Sequence, residues 1–478
     1  MTKKSIKVNA ILNIIKQMCQ VVFPLITIPY VTRVLQTENY GKYNYGNSIV
    51  TYFWLLAELG VATYAVREGA RIREEKKAFQ KFASEMYSIN IISTLFSYIA
   101  LIIVLLVTPK LHDYRMLILI QSAVILFSTL GADWVNTIYE DFITMTIRSI
   151  LVQVVALIGM FVFVHEENDY IKYAMVTVFA TSGAGLFNTF YIRKYVKIKL
   201  TLKIDWKKHL KPIILLFFNV IMIQIYANSD ITLIGIFKGD REVGLYSLAA
   251  KMYIIIKQVL NAVIVVVFPR LLAYMANDEK KKYQELLNRL FNGLIILIFP
   301  VVVALIMLSD KFVLLMSEEN FLAAANSLQI LSISLIFAAM CGIFSNCILL
   351  VFDEEVKFVK ATIVGAVSNI LLNLIIIPRF GAEGAAVTTI ISEFAVCLIT
   401  YLYSRKYQKC KLDFRNLVGV IIGCIFLVME CVIVNNVIDG VFIPIVICAI
   451  IGVIGYGIIM LISGSPIVKE TVRQFLKK

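Results

Sequence analysis

Apolar runs of about twenty residues, each long enough to cross a bilayer core as a helix, follow one another along this chain with short polar stretches between them. Fourteen such spans are predicted. Where polar residues interrupt the runs, they fall at steps of three and four, on one helical face. In the first span these are Asn9, Asn13, Lys16, Gln17 and Gln20; in the second they are Asn44, Asn47, Thr51, Trp54 and Glu58. Tyr40-Gly41-Lys42-Tyr43 is predicted as the tight turn joining the two. The hairpin, Val8 to Arg67, comes back 203 residues later: Val243-Gly244-Leu245-Tyr246 answers the turn, Ser247 and Asn261 answer Asn44 and Glu58, and Asn219 falls opposite Lys16. A duplicated hairpin with a polar seam is what a transporter built from two related halves shows, with its substrate site between them.

The remaining spans arrange themselves around that repeat. Residues 1–211 hold spans one to six, residues 212–415 spans seven to twelve, and residues 416–478 two appended spans and a tail. The basic stretch Arg193 to Lys211 marks the half boundary, with Pro212 expected in the first turn of the next helix, where its missing N–H costs nothing. Ser309 to Phe321 is the longest outer loop, too short for a catalytic domain, and no nucleophile, base and orienting group occur at a recognisable spacing. An enzyme is therefore not expected.

Composition agrees with the pattern. The chain is 60% hydrophobic and only 16% charged, with mean hydropathy +0.83, against about a quarter charged in soluble domains. The expected fold is an all-α polytopic membrane protein: two six-helix lobes related by a pseudo-twofold, plus two C-terminal helices. The formal charge of +14 would suggest nucleic acid if it were spread evenly, but it is not. With both termini cytoplasmic, 34 of the 46 Lys and Arg fall on inner segments, nine on outer loops and three (Lys16, Lys251 and Lys257) inside spans. That is the positive-inside asymmetry of a plasma-membrane protein. The start, Met1-Thr2-Lys3-Lys4, leads into a long span without a small-residue cleavage site, so an uncleaved first helix is expected. Most of the eight cysteines lie in apolar spans, and His112, His165 and His209 are scattered. Neither a metal site nor a cofactor is expected.

With these motifs placed, the chain resembles the oligosaccharide flippases (Wzx-type) of the multidrug/oligosaccharidyl-lipid/polysaccharide exporter superfamily, whose architecture is MATE-like. The matching stretches are Tyr40-Gly41-Lys42-Tyr43, Glu58-Leu59-Gly60 leading to Val66-Arg67-Glu68, Asp133-Trp134 with Glu140-Asp141 and Arg148, Lys211-Pro212, Glu242 to Tyr246 and Phe380 to Ala386. The chain departs from the pattern after Asp133-Trp134, where many relatives carry an aromatic-Gln-Gly run and this sequence has Val135-Asn136-Thr137-Ile138-Tyr139. The resemblance implies transfer of undecaprenyl-diphosphate-linked sugar units from the inner to the outer leaflet, for capsule, O-antigen or a teichoic-acid-like polymer. It also implies membrane lipids and a polysaccharide polymerase as partners.

A charge at mid-membrane costs about 2.5 to 3.5 kcal/mol on insertion scales, so Lys16, Lys251 and Lys257 need a reason to be there. A wet cationic cavity holding a diphosphate is one, since lysines attract phosphate as point charges. Snorkelling, or pairing of these lysines with Glu58, is the other. Gln17, Gln20, Asn44, Asn47, Gln258 and Asn261 are candidates for bonding sugar hydroxyls and Trp54 for stacking on a ring, although each polar group serves equally as interhelical glue. Glu58, Asp133 and Asp230 are candidates for coupling to a proton or sodium, with structural pairing the stronger reading for the last two. The alternative is a MATE-type drug or organic-cation antiporter. It would favour acidic residues in the first-half cavity, where the first span offers Lys16.

Overall fold

The computed structural model describes the backbone of residues 6–476, and side chains there except at 6–21, 218–220, 222–223, 225–227, 471–472 and 474–476. Every regular element among the described residues is helical. In order these are α1 (Ile6–Glu58), α2 (Val61–Ile72), α3 (Lys76–Val107), α4 (Arg115–Gly131), α5 (Trp134–Ile138), α6 (Phe142–Phe163), α7 (Tyr170–Tyr191), α8 (Trp206–Phe237), α9 (Asp240–Ala276), α10 (Lys280–Met307), α11 (Ser309–Met316), α12 (Ala324–Gly342), α13 (Glu355–Ser404), α14 (Phe414–Val437), α15 (Phe442–Ile462) and α16 (Pro466–Leu476). They form two compact units, Met1–Gly235 and Ile236–Lys478.

Eleven helical stretches among the described residues are long and apolar enough to cross a membrane, and the chain is a multi-pass membrane protein. Two of them, Val22–Ile72 and Glu355–Ser404, have 51 and 50 residues, far more than the roughly 20 a crossing needs. Each contains a break. In α13 the break is Gly381 (φ 55°, ψ −132°), inside the small-residue stretch expected to join two spans.

In α1 the break is Gln36 (φ 58°, ψ 178°), ahead of the expected turn. Tyr40-Gly41-Lys42-Tyr43 is itself helical, and Tyr40, Gly41 and Tyr43 are buried. Gln36 Nε2 donates to Arg33 O (2.6 Å), which closes the bend. The tyrosines beyond it are then free to pack: Tyr43 on Tyr173 and Tyr45 on Tyr114, with ring centroids 4.5 and 5.0 Å apart. In the second unit Gly239, 203 positions after Gln36, has φ 93° and ψ −174° and immediately precedes α9. The repeat therefore appears in the backbone as the same unusual bend followed by the same buried helical turn.

Pro212 also sits differently from expectation. Helix α8 starts at Trp206, where Asp205 Oδ1 accepts from the N–H of Lys208 (3.2 Å) and Asp205 O accepts from the N–H of His209 (3.1 Å). The proline therefore lies within the helix rather than at its first turn. Likewise, part of the expected outer loop Ser309 to Phe321 is the short helix α11.

Helix α3 is packed inside out relative to a helix of a soluble protein. On α3 the buried face carries Ser84, Ser88, Asn90, Ser93, Thr94 and Ser97, while Leu95, Phe96, Ile99, Ile102, Ile103 and Leu106 are exposed. Hydrocarbon gives no drive to bury leucine, so close approach and hydrogen bonds hold the helices together. Accordingly Asn90 and Ser93 donate to Ala57 O (2.8 and 2.5 Å) and Ser97 to Phe53 O (2.5 Å), tying α3 to α1. Between α4 and α7, a Cβ on Gly131 would lie 2.7 Å from Gly185 Cα, a contact only two glycines permit.

Candidate functional site

In the first unit two helix ends meet at a cavity of about 450 Å³. Helix α1 stops at Glu58 because Leu59 (φ 46°) and Gly60 (φ 73°) turn left-handed. Gly60 is required for a second reason: a Cβ there would come 3.0 Å from Phe217 N and 3.2 Å from Ile213 O of α8. Helix α4 stops in the same way at Ala132 (φ 44°), which presents Asp133 just beyond its last turn.

The exposed carbonyls at the end of α4, which a helix C-terminus leaves unsatisfied, are capped from α7. Asn188 Nδ2 donates to Gly131 O (2.7 Å) and Thr189 Oγ1 to Leu130 O (3.0 Å). Asn188 Nδ2 also reaches Asp133 Oδ1 (2.8 Å), and the same oxygen accepts from Arg148 Nη2 (2.8 Å). Arg148 bonds Asn188 Oδ1 as well. The Asp133–Arg148 half of the Asp-Trp…Glu-Asp…Arg motif is therefore a brace linking α4, α6 and α7. The rest of the motif also braces: Glu140 pairs with Arg73 (3.0 Å), and Asp141 Oδ2 accepts from Tyr191 (2.8 Å) and Tyr195 (2.7 Å).

The cavity wall includes Trp54, Glu58, Asn90, Ser128, Asp133, Trp134, Gln153 and Thr181. Trp54 Nε1 donates to Ser128 Oγ (3.0 Å), which fixes the indole plane. The buried Trp134 Nε1 has no acceptor among the described residues. Glu58 has neither a hydrogen-bond nor an ion-pair partner among the described residues. The wall thus offers aromatic faces, an unused indole donor, amide and hydroxyl groups, one braced carboxylate and one unbraced carboxylate.

Three of the sequence-predicted residues, Trp54, Glu58 and Asp133, share this cavity. The side chains of Lys16, Gln17 and Gln20 lie outside the described residues. Asn44 is buried and donates to Tyr40 O one turn back (2.7 Å), while Asn47 is exposed. Asp230 is buried and lines a different place, beside Tyr52, whose hydroxyl meets Thr232 Oγ1 (3.0 Å), which in turn donates to Ser48 Oγ (3.0 Å).

The second unit holds the others. Lys257 Nζ lies 2.6 Å from the buried Glu393 Oε1, which also accepts from Tyr253 (3.2 Å). Lys251 is half-buried, Gln258 exposed, and Asn261 faces Gly342. Asn90, Ser128, Trp134, Gln153 and Thr181 line the first-unit cavity without being among the site residues expected from the sequence. The available signal was that they are polar or amphipathic groups inside apolar runs of the third to sixth spans, away from the repeated hairpin.

Three comparisons with known proteins bear on the chain. The family profile described as "Polysaccharide biosynthesis protein" matches residues 6–275. A protein of Escherichia coli (strain K12) whose name assigns it, provisionally, to O-antigen transport is 22% identical over 415 residues, 84% of this chain and 96% of that one. The capsular polysaccharide biosynthesis protein CapF of Staphylococcus aureus is 23% identical over 404 residues, 82% of this chain and 96% of its own. Among solved structures, the lipid II flippase MurJ in an inward closed conformation aligns with TM-score 0.75 at 19% identity, covering 97% of this chain and 100% of that one. An inward-facing multidrug resistance MATE family transporter of the MOP superfamily aligns with TM-score 0.56 at 14% identity, over 81% of this chain and 97% of its own. The chain shares their fold.

Proposed function

Given that the chain belongs to the polysaccharide biosynthesis protein family, we propose that it is a flippase for undecaprenyl-diphosphate-linked oligosaccharides. It carries them from the inner to the outer leaflet of the plasma membrane for a surface polysaccharide, by alternating access, with both termini cytoplasmic. The observation that carries this reading is a family match over more than half the chain combined with a flippase-like fold over 97% of it. The physical need is plain: a diphosphate and its sugars cannot cross hydrocarbon unaided, whereas a polyprenyl tail can remain in lipid.

In this reading Lys16 and Lys251 meet the diphosphate, while Lys257 is held by Glu393; Gln17, Gln20, Asn47, Gln258 and Asn261 meet sugar hydroxyls, while Asn44 is spent on Tyr40 O. Trp54 stacks on a ring, and the free Trp134 indole N–H and Gln153 join it on the first-unit wall. Glu58, a carboxylate without a partner among the described residues, is the group that takes up the coupling ion, proton or sodium. Asp133 is committed to Arg148 and Asn188, so its part is to hold the cavity's shape. A polysaccharide polymerase receives the product outside.

The decisive measurement is the leaflet distribution of lipid-linked oligosaccharide in cells lacking this protein, beside cells carrying Lys16→Ala. Accumulation at the inner leaflet is expected in both. Accumulation in the deletion alone would keep the flippase and remove Lys16 from the site; accumulation in neither, with no redundant flippase, would end the reading.

One observation favours a second reading, an organic-cation antiporter: the first-unit cavity is lined by two carboxylates, Glu58 and Asp133, and by no lysine among its described lining residues. Binding of an organic cation that sodium displaces, and that Glu58→Gln abolishes, would support it.

A further inference from the structure

Apart from that cavity, the first unit has a second concave surface. The chain between α7 and α8 runs extended along α3, held by one face of that helix. Gln80 Nε2 donates to Lys197 O (2.9 Å), and the hydroxyls of Ser84 and Ser88 accept from the N–H groups of Lys199 (3.1 Å) and Thr201 (2.9 Å). Positions 80, 84 and 88 are successive turns of α3, so the register of the extended segment is fixed residue by residue. In extended chain, alternate side chains point opposite ways. Lys199, Thr201 and Lys203 line a cleft of about 390 Å³ with Lys77, Gln80, Lys81, Ser84 and Glu85. Leu200 and Leu202, in the alternate positions, are 67% and 91% exposed.

Four lysines therefore line one cleft, and the fold supplies them with little counter-charge. Among the described residues Lys77, Lys199 and Lys203 are in no ion pair. Lys81 comes only within 3.9 Å of Glu85 Oε1, and the other oxygen of that carboxylate is held by His209 Nε2 at 2.8 Å. His209 in turn meets Tyr64 OH through Nδ1 (3.0 Å), so Glu85 is committed to a buried clamp. Like charges fixed side by side repel unless an anion sits among them, and lysines take phosphate as point charges.

The apolar half of the segment says where the phosphate comes from. Trp206 and Leu210, which follow in the first turns of α8, are 40% and 36% exposed. Basic residues alternating with exposed leucine and tryptophan are the composition of a segment lying at a membrane surface. A free phosphate would have no use for the leucines; a phospholipid, with acyl chains beneath its headgroup, would.

We propose that this cleft binds the phosphate headgroup of an anionic membrane lipid, with Lys77, Lys81, Lys199 and Lys203 around the phosphate and Leu200 and Leu202 in the acyl region. The site does not depend on the transported substrate, and it pins the chain between α7 and α8 to one leaflet.

The test is native mass spectrometry of the full-length protein in detergent, with added phosphatidylglycerol, phosphatidylethanolamine or inorganic pyrophosphate. Wild type is expected to retain phosphatidylglycerol over phosphatidylethanolamine by about tenfold or more, and the Lys77→Gln/Lys199→Gln/Lys203→Gln variant to lose that preference. Leu200→Ser/Leu202→Ser, which leaves every hydrogen bond to α3 in place, is expected to weaken phosphatidylglycerol retention as well, and thermal unfolding confirms that both variants are folded. Equal phosphatidylglycerol retention by wild type and the lysine variant would overturn the site. Binding of pyrophosphate without any preference for phosphatidylglycerol would overturn the lipid assignment.

Discussion

Lys257 illustrates how a single residue changes meaning once its neighbours are known. A lysine inside an apolar run reads as a cavity cation, yet its ammonium is 2.6 Å from Glu393 and lies over the Tyr253 ring, 5.5 Å from the centroid. Lys257 is half-buried and Glu393 buried, and removing the lysine strands a buried carboxylate, at a cost of about 3 kcal/mol in a fully buried pair and less here. Lys257→Ala should therefore lower the thermal unfolding temperature in detergent, and Lys257→Ala/Glu393→Ala should recover part of the loss, with a coupling of about 1–3 kcal/mol. An unchanged unfolding temperature in Lys257→Ala with transport lost would instead mean that the ammonium serves substrate. The sequence showed both charges in apolar runs; that they belong to each other depends on α9 and α13 being side by side, which no local pattern states. Glu58 is the opposite case, its place in a cavity wall following from the helix break that Leu59-Gly60 imposes.

Among the elements, the two bends at Gln36 and Gly239 are the clearest contrast. Both sit in a backbone region that is essentially glycine's own, and a side chain there costs about 1–3 kcal/mol. Gln36 bears that cost and recovers part of it through its bond to Arg33 O. Gln36→Gly is expected to raise the unfolding temperature or leave it unchanged, whereas Gly239→Ala lowers it; a destabilised Gln36→Gly would show that the side-chain bond outweighs the strain. The loop before α7 supplies a second prediction. Asp169 is paired with Lys172 at 2.7 Å and accepts from the N–H groups of His165 and Glu166 (3.0 Å each), which hold its carboxyl down at about 2. Its pKa in the unfolded chain is about 3.9, so its contribution to stability is fully present above that value and is lost as pH falls through about 2. Asp169→Asn should therefore unfold at a lower temperature than wild type at neutral pH, and the gap should narrow below about pH 4. A gap independent of pH would assign the effect to lost packing.

For the molecule as a whole, the proposed work is movement of a negatively charged headgroup outward, down an inside-negative potential that favours it by about 2.3 kcal/mol per charge per 100 mV. In proteoliposomes, outward transfer of labelled lipid-linked oligosaccharide is expected to quicken when an inside-negative potential is imposed; indifference to potential in a coupled preparation would leave an ion gradient through Glu58 as the drive. The sequence by itself determined the membrane location and the helical class, and it picked out the spacing of 203 residues at which the two backbone bends recur. These depend on properties that run along the chain: hydropathy over about twenty residues and polar spacing at one helical period. Only the tertiary structure decided that the Gly-x-Tyr stretch is a packed helical turn, that Asp133 and Arg148 are a brace, that Lys257 has a partner, and that four lysines from α3 and the segment before α8 share one cleft. Each of these is a meeting of residues far apart in sequence, and in a membrane helix the same serine, asparagine or lysine satisfies a neighbour or lines a cavity according to which helix lies next to it.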